Sequence, residues 1–453
     1  MSGALRARTA GRQAIACAAV LTLCLAARAH AEWQQPDPTY RDAQANLRMA
    51  LRDTLGHGGE IARLDSLAVA HLSLAHFVEA RRLFERVLAI DPADLASRAG
   101  MGKLALFEDH AARAESLLTG ALDGADTAPR DLLAARIRQR DYAGAAALAD
   151  SLEYTARAEM LHRMADDSTY VLSGDASAKI LFRRLTPAPL VLVRLNGQSV
   201  LMAVDLGAGD LMLDDFVARQ CKVELLSTSG VVPWDGLLVT GRNAMVKRLD
   251  LGGVRIENLP AAVLPLRKWG LAVNPDGERV AGVIGSNLLR HFTPVLDFIA
   301  GRLELSPAAR APGAPRGTAM IPFEVWGESE MMVYGTIEGG RRMGMIVTTA
   351  IPGCGVAAPP EVFEELAVKP GAMSRMIRSP GTGLTGTPWG QLSTSVKVGP
   401  IARDRVMGWS GAVASSELWR HGVRRDAALS SEFFKGYRVS IDWAKRELLF
   451  ERE

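Results

Sequence analysis

This sequence has little net charge and few aromatic residues. The 453 residues carry a net charge of only +3, and aromatic residues make up 6% of them. Removing the first 31 residues, which hold four arginines and no acidic residue, turns this +3 into −1. These arginines are Arg6, Arg8, Arg12 and Arg28. A protein that binds nucleic acid needs a basic face, so a nearly neutral body predicts no nucleic acid among the partners.

Apolar runs long enough to span a membrane are also missing at the N-terminus. The run Ala14–Ala27 has 14 residues, whereas a membrane-spanning helix needs roughly 20. The basic segment before this run and the motif Ala29-His30-Ala31 after it are typical of a secretory signal peptide. We therefore predict cleavage after Ala31 and a secreted or periplasmic protein with no membrane span after signal removal. A retained anchor is the alternative.

Cysteine and clustered histidine are rare as well. Cys17 and Cys24 leave with the signal peptide, so only Cys221 and Cys354 remain in the mature chain. Two cysteines form no disulfide scaffold, and a single bridge or two buried thiols both stay open. The eight histidines are dispersed, and neither a His-Glu-x-x-His nor a Gly-x-x-x-x-Gly-Lys motif is present. We expect neither a metal nor a cofactor.

The composition that remains is ordinary: 48% hydrophobic and 23% charged residues indicate a globular protein with two or three domains. A helical repeat of about 34 residues occupies the first part, because small and apolar residues recur at this spacing. The first copy is marked by Ala68, Ala80, Phe84 and Pro92, the second by Gly102, Ala114, Leu118 and Asp126, and a shorter third by Tyr142, Ala145 and Ala149. Small residues at such positions let paired helices approach closely.

This region resembles tetratricopeptide repeats, with Asp91-Pro92 after an apolar helix end as its most specific piece. The resemblance implies helical hairpins whose concave face binds a peptide or a protein partner. A helical spacer without a ligand is the alternative.

After Tyr170 the pattern changes to short apolar runs bounded by glycine, proline and asparagine, which predicts strands. A hairpin around Asn196-Gly197 leads into the loop Asp205-Leu206-Gly207-Ala208, and Val283-Ile284-Gly285 follows about 80 residues later. This order of elements resembles one lobe of a retropepsin-like aspartic protease. The resemblance implies that Asp205 is catalytic, that Leu206, Gly207 and Ala208 complete its loop, and that residues 229–246 form a flap.

A second segment repeats this scheme with changes. Residues 332–347 form the same strand–turn–strand pattern and end at Thr348-Thr349-Ala350, where the family has Asp-Thr-Gly. Leu429-Ser430 stands in the place of Ile284-Gly285, and residues 437–450 parallel 293–305. The chain is thus predicted to be multidomain, with all-α tetratricopeptide-like helical hairpins followed by an all-β, bilobal pepsin/retropepsin-like body. The predicted parts are a signal peptide (1–31), a helical repeat domain (40–165), lobe 1 (170–306), a linker (307–317) and a degenerate lobe 2 (318–453).

Aspartic proteases use two carboxylates about 3 Å apart that share one proton. Lobe 1 supplies Asp205, but lobe 2 supplies Thr348, which cannot act as the second acid or base. Leu206 also replaces the threonine whose hydroxyl helps to lock the two loops together, while Ala350 and Ser430 replace glycines.

Two functions follow from these substitutions. One is an exported aspartic-type endopeptidase that hydrolyses peptide bonds of peptides or unfolded proteins through Asp205. Its second carboxylate would come from a homodimer that pairs two copies of lobe 1, or from a nearby residue. The nearby candidates are Asp210, Asp214, Asp215 and Asp235. The alternative function is a pseudoprotease that binds peptides or serves as a scaffold without cutting.

Overall fold

The computed structural model describes residues 48–49, 59–185, 188–234, 237–266, 279–351, 353–371, 373–374, 389–413, 418–419 and 422–452. The predicted signal peptide lies outside these residues, as does most of the segment that precedes the first repeat. Within the described parts of the chain, no helix is both long and apolar enough to cross a membrane.

The first part of the body is helical. Its helices are α1 (Gly59–Ser73), α2 (Phe77–Ile90), α3 (Leu95–Phe107), α4 (Ala111–Leu118), α5 (Ala128–Arg138), α6 (Tyr142–Ser151) and α7 (Thr155–Asp166), which together form the helical region. Consecutive helices pack against each other, and the connection between α4 and α5 contains a short 3-10 helix, Leu122–Gly124. Asp94 and Asp141 cap α3 and α6, each by accepting a hydrogen bond from a backbone N–H of the first turn.

Small residues set the spacing of these helices, as the sequence predicts. A Cβ atom added at Gly102 would lie 2.6 Å from Cγ of Leu118, and one added at Gly100 would lie 2.3 Å from the ring of Phe84. Both distances are far below van der Waals contact, so α3 can approach its neighbours only because it carries glycine there. The hairpin arrangement agrees with the prediction, whereas the tetratricopeptide identity stays a resemblance.

Lobe 1 follows and is built around a β-sheet. Its strands are β1 (Val171–Gly174), β2 (Ala178–Arg184), β3 (Leu190–Leu195), β4 (Gln198–Val204), β5 (Leu211–Asp214), β6 (Glu224–Trp234), β7 (Leu237–Leu251), β8 (Val254–Leu264), β9 (Val280–Ile284), β10 (Phe292–Asp297) and β11 (Arg302–Pro307), with short helices α8 (Asp215–Gln220) and α9 (Ser286–Leu289). Asn196 and Gly197, both with positive φ, close the β3–β4 hairpin as predicted. β4 pairs in parallel with β9, and β5 pairs in parallel with β8.

Lobe 2 repeats this topology strand by strand. Its elements are β12 (Ala319–Pro322), β13 (Glu324–Trp326), β14 (Glu330–Ile337), β15 (Met343–Val347), β16 (Val356–Ala358), β17 (Met373–Ser374), β18 (Trp389–Val398), β19 (Ile401–Ser410), β20 (Ala427–Leu429), β21 (Arg438–Asp442) and β22 (Glu447–Glu451), with α10 (Pro360–Glu365) and α11 (Ser431–Phe434). The parallel pairs β15–β20 and β16–β19 reproduce β4–β9 and β5–β8. The internal repeat read from the sequence is therefore present in the fold.

One sheet joins the two lobes. The closing hairpins β10–β11 and β21–β22 lie side by side, because β10 pairs antiparallel with β21 from Val295↔Ser440 to Asp297↔Arg438. The apolar core is continuous through this junction, and buried side chains of both lobes belong to it. The lobes are thus held together by backbone hydrogen bonds as well as by apolar burial.

The helical region packs on both lobes. Phe107 at the end of α3 stacks on Trp326 of lobe 2, with ring centroids 5.4 Å apart and planes 9° from parallel. Arg138 of α5 donates hydrogen bonds to the carbonyl oxygens of Val325 and Gly327 in lobe 2. On lobe 1, Met245 of β7 is buried among the apolar side chains of the helices.

Both remaining cysteines are buried free thiols, Cys221 in lobe 1 and Cys354 in lobe 2. The sequence leaves open a disulfide bridge or two buried thiols, and the structure has two buried thiols.

Candidate active site

Asp205 begins the loop that follows β4 and lies where the two lobes meet. Its backbone N–H donates to the carbonyl oxygen of Ile284, 3.0 Å away, so the end of β9 fixes the start of the loop. Gly285 passes directly behind, and a Cβ atom added there would lie 2.3 Å from the carbonyl oxygen of Gly209. The predicted motif Val283-Ile284-Gly285 therefore supports the Asp205 loop from behind. Position 285 has to be glycine, because any side chain there would clash with the backbone of this loop.

The Asp205 carboxylate is completely buried, with 0% of its surface exposed. Its Oδ1 atom accepts three hydrogen bonds, from Thr348 Oγ1 at 2.6 Å and from the backbone N–H groups of Thr349 and Gly207, each at 2.9 Å. Its Oδ2 atom has no hydrogen-bond partner among the described residues. Gly207 of lobe 1 and Thr348 and Thr349 of lobe 2 thus converge on a single oxygen atom.

Thr349 locks the two loops together from one side only. Its hydroxyl donates to the carbonyl oxygen of Val204 at 2.7 Å and accepts from the backbone N–H of Leu206 at 3.2 Å. A symmetric pair of loops would make the reciprocal bonds from lobe 1, but Leu206 has no hydroxyl group. Leu206 is instead buried in the apolar core.

The lobe 2 loop keeps the backbone geometry of its counterpart. The Thr348 N–H donates to the carbonyl oxygen of Leu429 at 2.9 Å, as the Asp205 N–H does to Ile284. Ser430 takes the place of Gly285, and its hydroxyl donates to the carbonyl oxygen of Ile351 at 2.8 Å. Ala350 is fully buried without disturbing this arrangement. The replacements Ala350 and Ser430 are therefore accommodated, whereas Thr348 changes the chemistry.

The other acidic residues considered from the sequence have separate roles. Asp214 caps α8 by accepting from the N–H groups of Phe216 and Val217, and Asp215 forms an ion pair with Arg219 at 2.9 Å. Asp210 accepts a hydrogen bond from the Asn287 side chain at 2.7 Å, and Asp235 lies outside the described residues. The partner of Asp205 in the structure is Thr348.

Several polar residues at the junction were not identified from the sequence. Ser286 donates to the carbonyl oxygen of Ala208 and lies 2.8 Å from the hydroxyl of Ser329, so this pair of serines connects the lobes. Arg157 of the helical region pairs with Glu328 of lobe 2. Only the position of Ser286, directly after the glycine motif, offered a signal; the other contacts join residues far apart in sequence.

The described residues contain no group of three or more His, Cys, Asp or Glu side chains placed to hold a metal ion.

Comparison with known proteins supports the lobe 1 interpretation. Residues 191–288 match a family model described as aspartyl protease. A crystal structure of Basic 7S globulin from soybean is similar at 13% identity and a TM-score of 0.35, over 62% of this chain and 95% of that one. No curated protein sequence gives a significant match. The chain thus has a helical region followed by a β-rich body consistent with a pepsin-like aspartic protease fold, and residues 191–288, which contain Asp205, match the aspartyl protease family.

Proposed function

We propose that this protein binds extended peptides in the cleft between its lobes and does not hydrolyse them. One observation carries the proposal: Thr348 Oγ1 lies 2.6 Å from Asp205 Oδ1 in a fully buried contact within one chain. In an aspartic protease a second carboxylate occupies this place, and the two share a proton.

The Asp205–Thr348 pair cannot provide both the general base and the general acid that the two carboxylates provide in an aspartic protease. Hydrolysis requires one group that takes a proton from the attacking water and another that donates a proton to the scissile carbonyl. A threonine hydroxyl has no protonation change in the accessible pH range, so it fills neither role. Its proton is already donated to Asp205 Oδ1, so the pair is a hydrogen-bonded contact between the lobes.

The remaining features suit binding. Strands β6 and β7, which contain the predicted flap residues 229–246 apart from residues 235–236, pair antiparallel, and an extended peptide can add hydrogen bonds to such strands. Asp205 Oδ2, which has no partner among the described residues, is an acceptor that a peptide N–H could use once a ligand opens the junction.

A second candidate is hydrolysis by a homodimer, and the match of residues 191–288 to the aspartyl protease family favours it. In that case lobe 2 has to leave its place so that the partner's Asp205 can enter. Such a movement breaks the β10–β21 pairing and the hydrogen bonds of Thr349. This requirement is why we place binding first.

Export and a partner of the helical region complete the proposal. The basic segment, short apolar run and Ala29-His30-Ala31 motif support a secreted or periplasmic location, which the N-terminal sequence of the mature protein would test. The helical hairpins support a protein or peptide partner on the concave face that such repeats present.

The decisive experiment measures cleavage and binding with the same variants. Wild type, Asp205→Asn and Asp215→Asn are incubated with a reduced, carboxymethylated protein between about pH 3 and about pH 7.5, and products are identified by mass spectrometry. Asp215→Asn is the matched control because it removes a carboxylate of lobe 1 outside the junction. We expect no cleavage by any of the three. Cleavage by wild type and by Asp215→Asn, but not by Asp205→Asn, would establish the peptidase instead.

The binding arm uses immobilised chain and a tryptic digest of the same substrate. We expect wild type and Asp215→Asn to retain a common set of peptides. Asp205→Asn should retain them at least about tenfold more weakly, because the amide that replaces Oδ2 is a donor rather than an acceptor. If wild type retains no peptide, or if Asp205→Asn retains the same peptides equally well, the proposed role of the junction is wrong.

A further inference from the structure

A cavity lies where the helical region, lobe 1 and lobe 2 meet, away from the Asp205 carboxylate. Its volume is about 200 Å³, and it is lined by both charged and apolar side chains. The apolar part is contributed by Met160 and Met164 of α7 and by Pro260 and Ala261 of β8. A cavity of this kind, with a flexible apolar wall and a few polar groups, suits a small ligand.

The charged part of the lining is dominated by arginine. Arg138 and Arg290 both pair with Asp109, at 3.2 and 2.6 Å. Arg157 pairs with Glu328. Three guanidinium groups therefore pair with two carboxylates, because Arg138 and Arg290 share Asp109. Asp210 also lines the cavity and is held by Asn287.

Arg140 differs from the other three arginines. The contact that the structure gives its guanidinium is with Nδ1 of His291 at 3.0 Å, and no carboxylate of the described residues forms an ion pair with it. Burial, followed by the charges of Arg140 and Arg290, lowers the pKa of His291 to about 3, so the imidazole is neutral at physiological pH. Arg140 thus brings a positive charge to the cavity that its histidine partner does not neutralise.

Tyr170 adds a hydroxyl group to the lining of the cavity. The ring stacks on His291 with centroids 4.2 Å apart, and the described residues give the hydroxyl no hydrogen-bond partner. Because burial raises the pKa of Tyr170 well above its usual value, the hydroxyl keeps its proton and can act as a donor. Arg140 and Tyr170 both contact His291 and both line the cavity, so a carboxylate bound there can accept hydrogen bonds from the guanidinium and from the phenol.

We propose that this cavity binds an aliphatic carboxylate. The carboxylate accepts hydrogen bonds from Arg140 and Tyr170, and the aliphatic group lies against Met160 and Met164. The four arginines of the lining face three carboxylates, which are those of Asp109, Glu328 and Asp210, so one positive charge is in excess and fits a monoanion. Either a free organic acid or the C-terminal residue of a peptide offers this chemistry.

The backbone of Arg140 makes the proposal easy to test. Arg140 lies between α5 and α6 with φ of 62°, in the left-handed conformation that glycine adopts at least cost. Arg140→Gly therefore removes the guanidinium without straining the fold. Glu153→Gly is the matched control, because Glu153 has φ of 61° in the next helix–helix turn and does not line the cavity.

Binding is measured by isothermal titration calorimetry on the full mature chain. The probes are N-acetyl-leucine and N-acetyl-leucinamide, which have nearly the same shape but differ in charge. We expect wild type and Glu153→Gly to bind the acid at least about tenfold more tightly than the amide. In Arg140→Gly this preference should disappear while the thermal unfolding temperature stays equal or rises.

The proposal is overturned if wild type does not bind the acid at about 10 mM, if acid and amide bind equally, or if Arg140→Gly binds like wild type. The tripeptide Ala-Ala-Leu shows whether the natural ligand is the C-terminal residue of a peptide or a free organic acid. Binding tighter than that of N-acetyl-leucine indicates a peptide end, and weaker binding indicates a free acid. Because Asp205 does not line the cavity, these results are independent of the function proposed for the cleft.

Discussion

Thr349 is the residue whose loss should affect the lobe junction most. In Thr349→Val the side chain keeps its shape, but the N–H of Leu206 and the carbonyl oxygen of Val204 lose their partner in a site where Thr349 is fully buried. Each buried polar group left unpaired costs about 1–3 kcal/mol. We therefore expect the free energy of unfolding to fall by about 2–5 kcal/mol in urea denaturation followed by tryptophan fluorescence.

The control for this experiment is Thr336→Val. Thr336 is a half-buried residue of β14, and the described residues give its hydroxyl no hydrogen bond. Its replacement should change the free energy of unfolding by less than about 0.5 kcal/mol. If Thr349→Val unfolds like wild type, or if both variants lose the same stability, the two loops are not held together by the Thr349 hydroxyl and this reasoning fails.

Three further predictions concern other parts of the fold. Gly102→Ala should lower stability by about 1–3 kcal/mol in urea denaturation, because the new methyl group overlaps Leu118; an unchanged midpoint would contradict this packing. Arg140→Gly should raise stability by about 1 kcal/mol in the same assay, since the left-handed backbone no longer carries a side chain; a loss would show that the side chain stabilises the fold. The pKa of His291 is lowered from 6.5 to about 3, so the unfolded chain takes up a proton that the folded chain refuses as the pH falls through this range. Between pH 7 and pH 4, wild type should therefore lose about 3 kcal/mol more than His291→Gln, and equal losses would exclude a neutral buried His291.

Much of the body could be predicted because its signals are local and repeated. The hairpin at Asn196-Gly197 depends on two adjacent residues that tolerate positive φ, and Asp205 follows the second strand directly. The second lobe was recognised from the same order of elements, although Thr348 replaced the aspartate. Sequence alone also predicted that this threonine stands in the second position of the dyad.

The role of the helical region near the junction could not be predicted in the same way. Its contacts with the lobes pair residues far apart in the chain, such as Arg157 with Glu328 and Phe107 with Trp326. Neither pair has a characteristic spacing, and each residue alone is compatible with an exposed or core position. The cavity at Arg140 arises from three separate parts of the chain and for this reason has no sequence signature.

The shared sheet of β10 and β21 has a consequence for how the site could change over time. In a symmetric dimer the two loops are encoded by the same codons, so a replacement in one loop appears in both and removes both carboxylates at once. Here the two loops belong to one chain and are joined by backbone pairing, so each can vary alone. Lobe 1 carries Asp205 and lobe 2 carries Thr348, and Thr349 of lobe 2 makes the contact that Leu206 of lobe 1 cannot return.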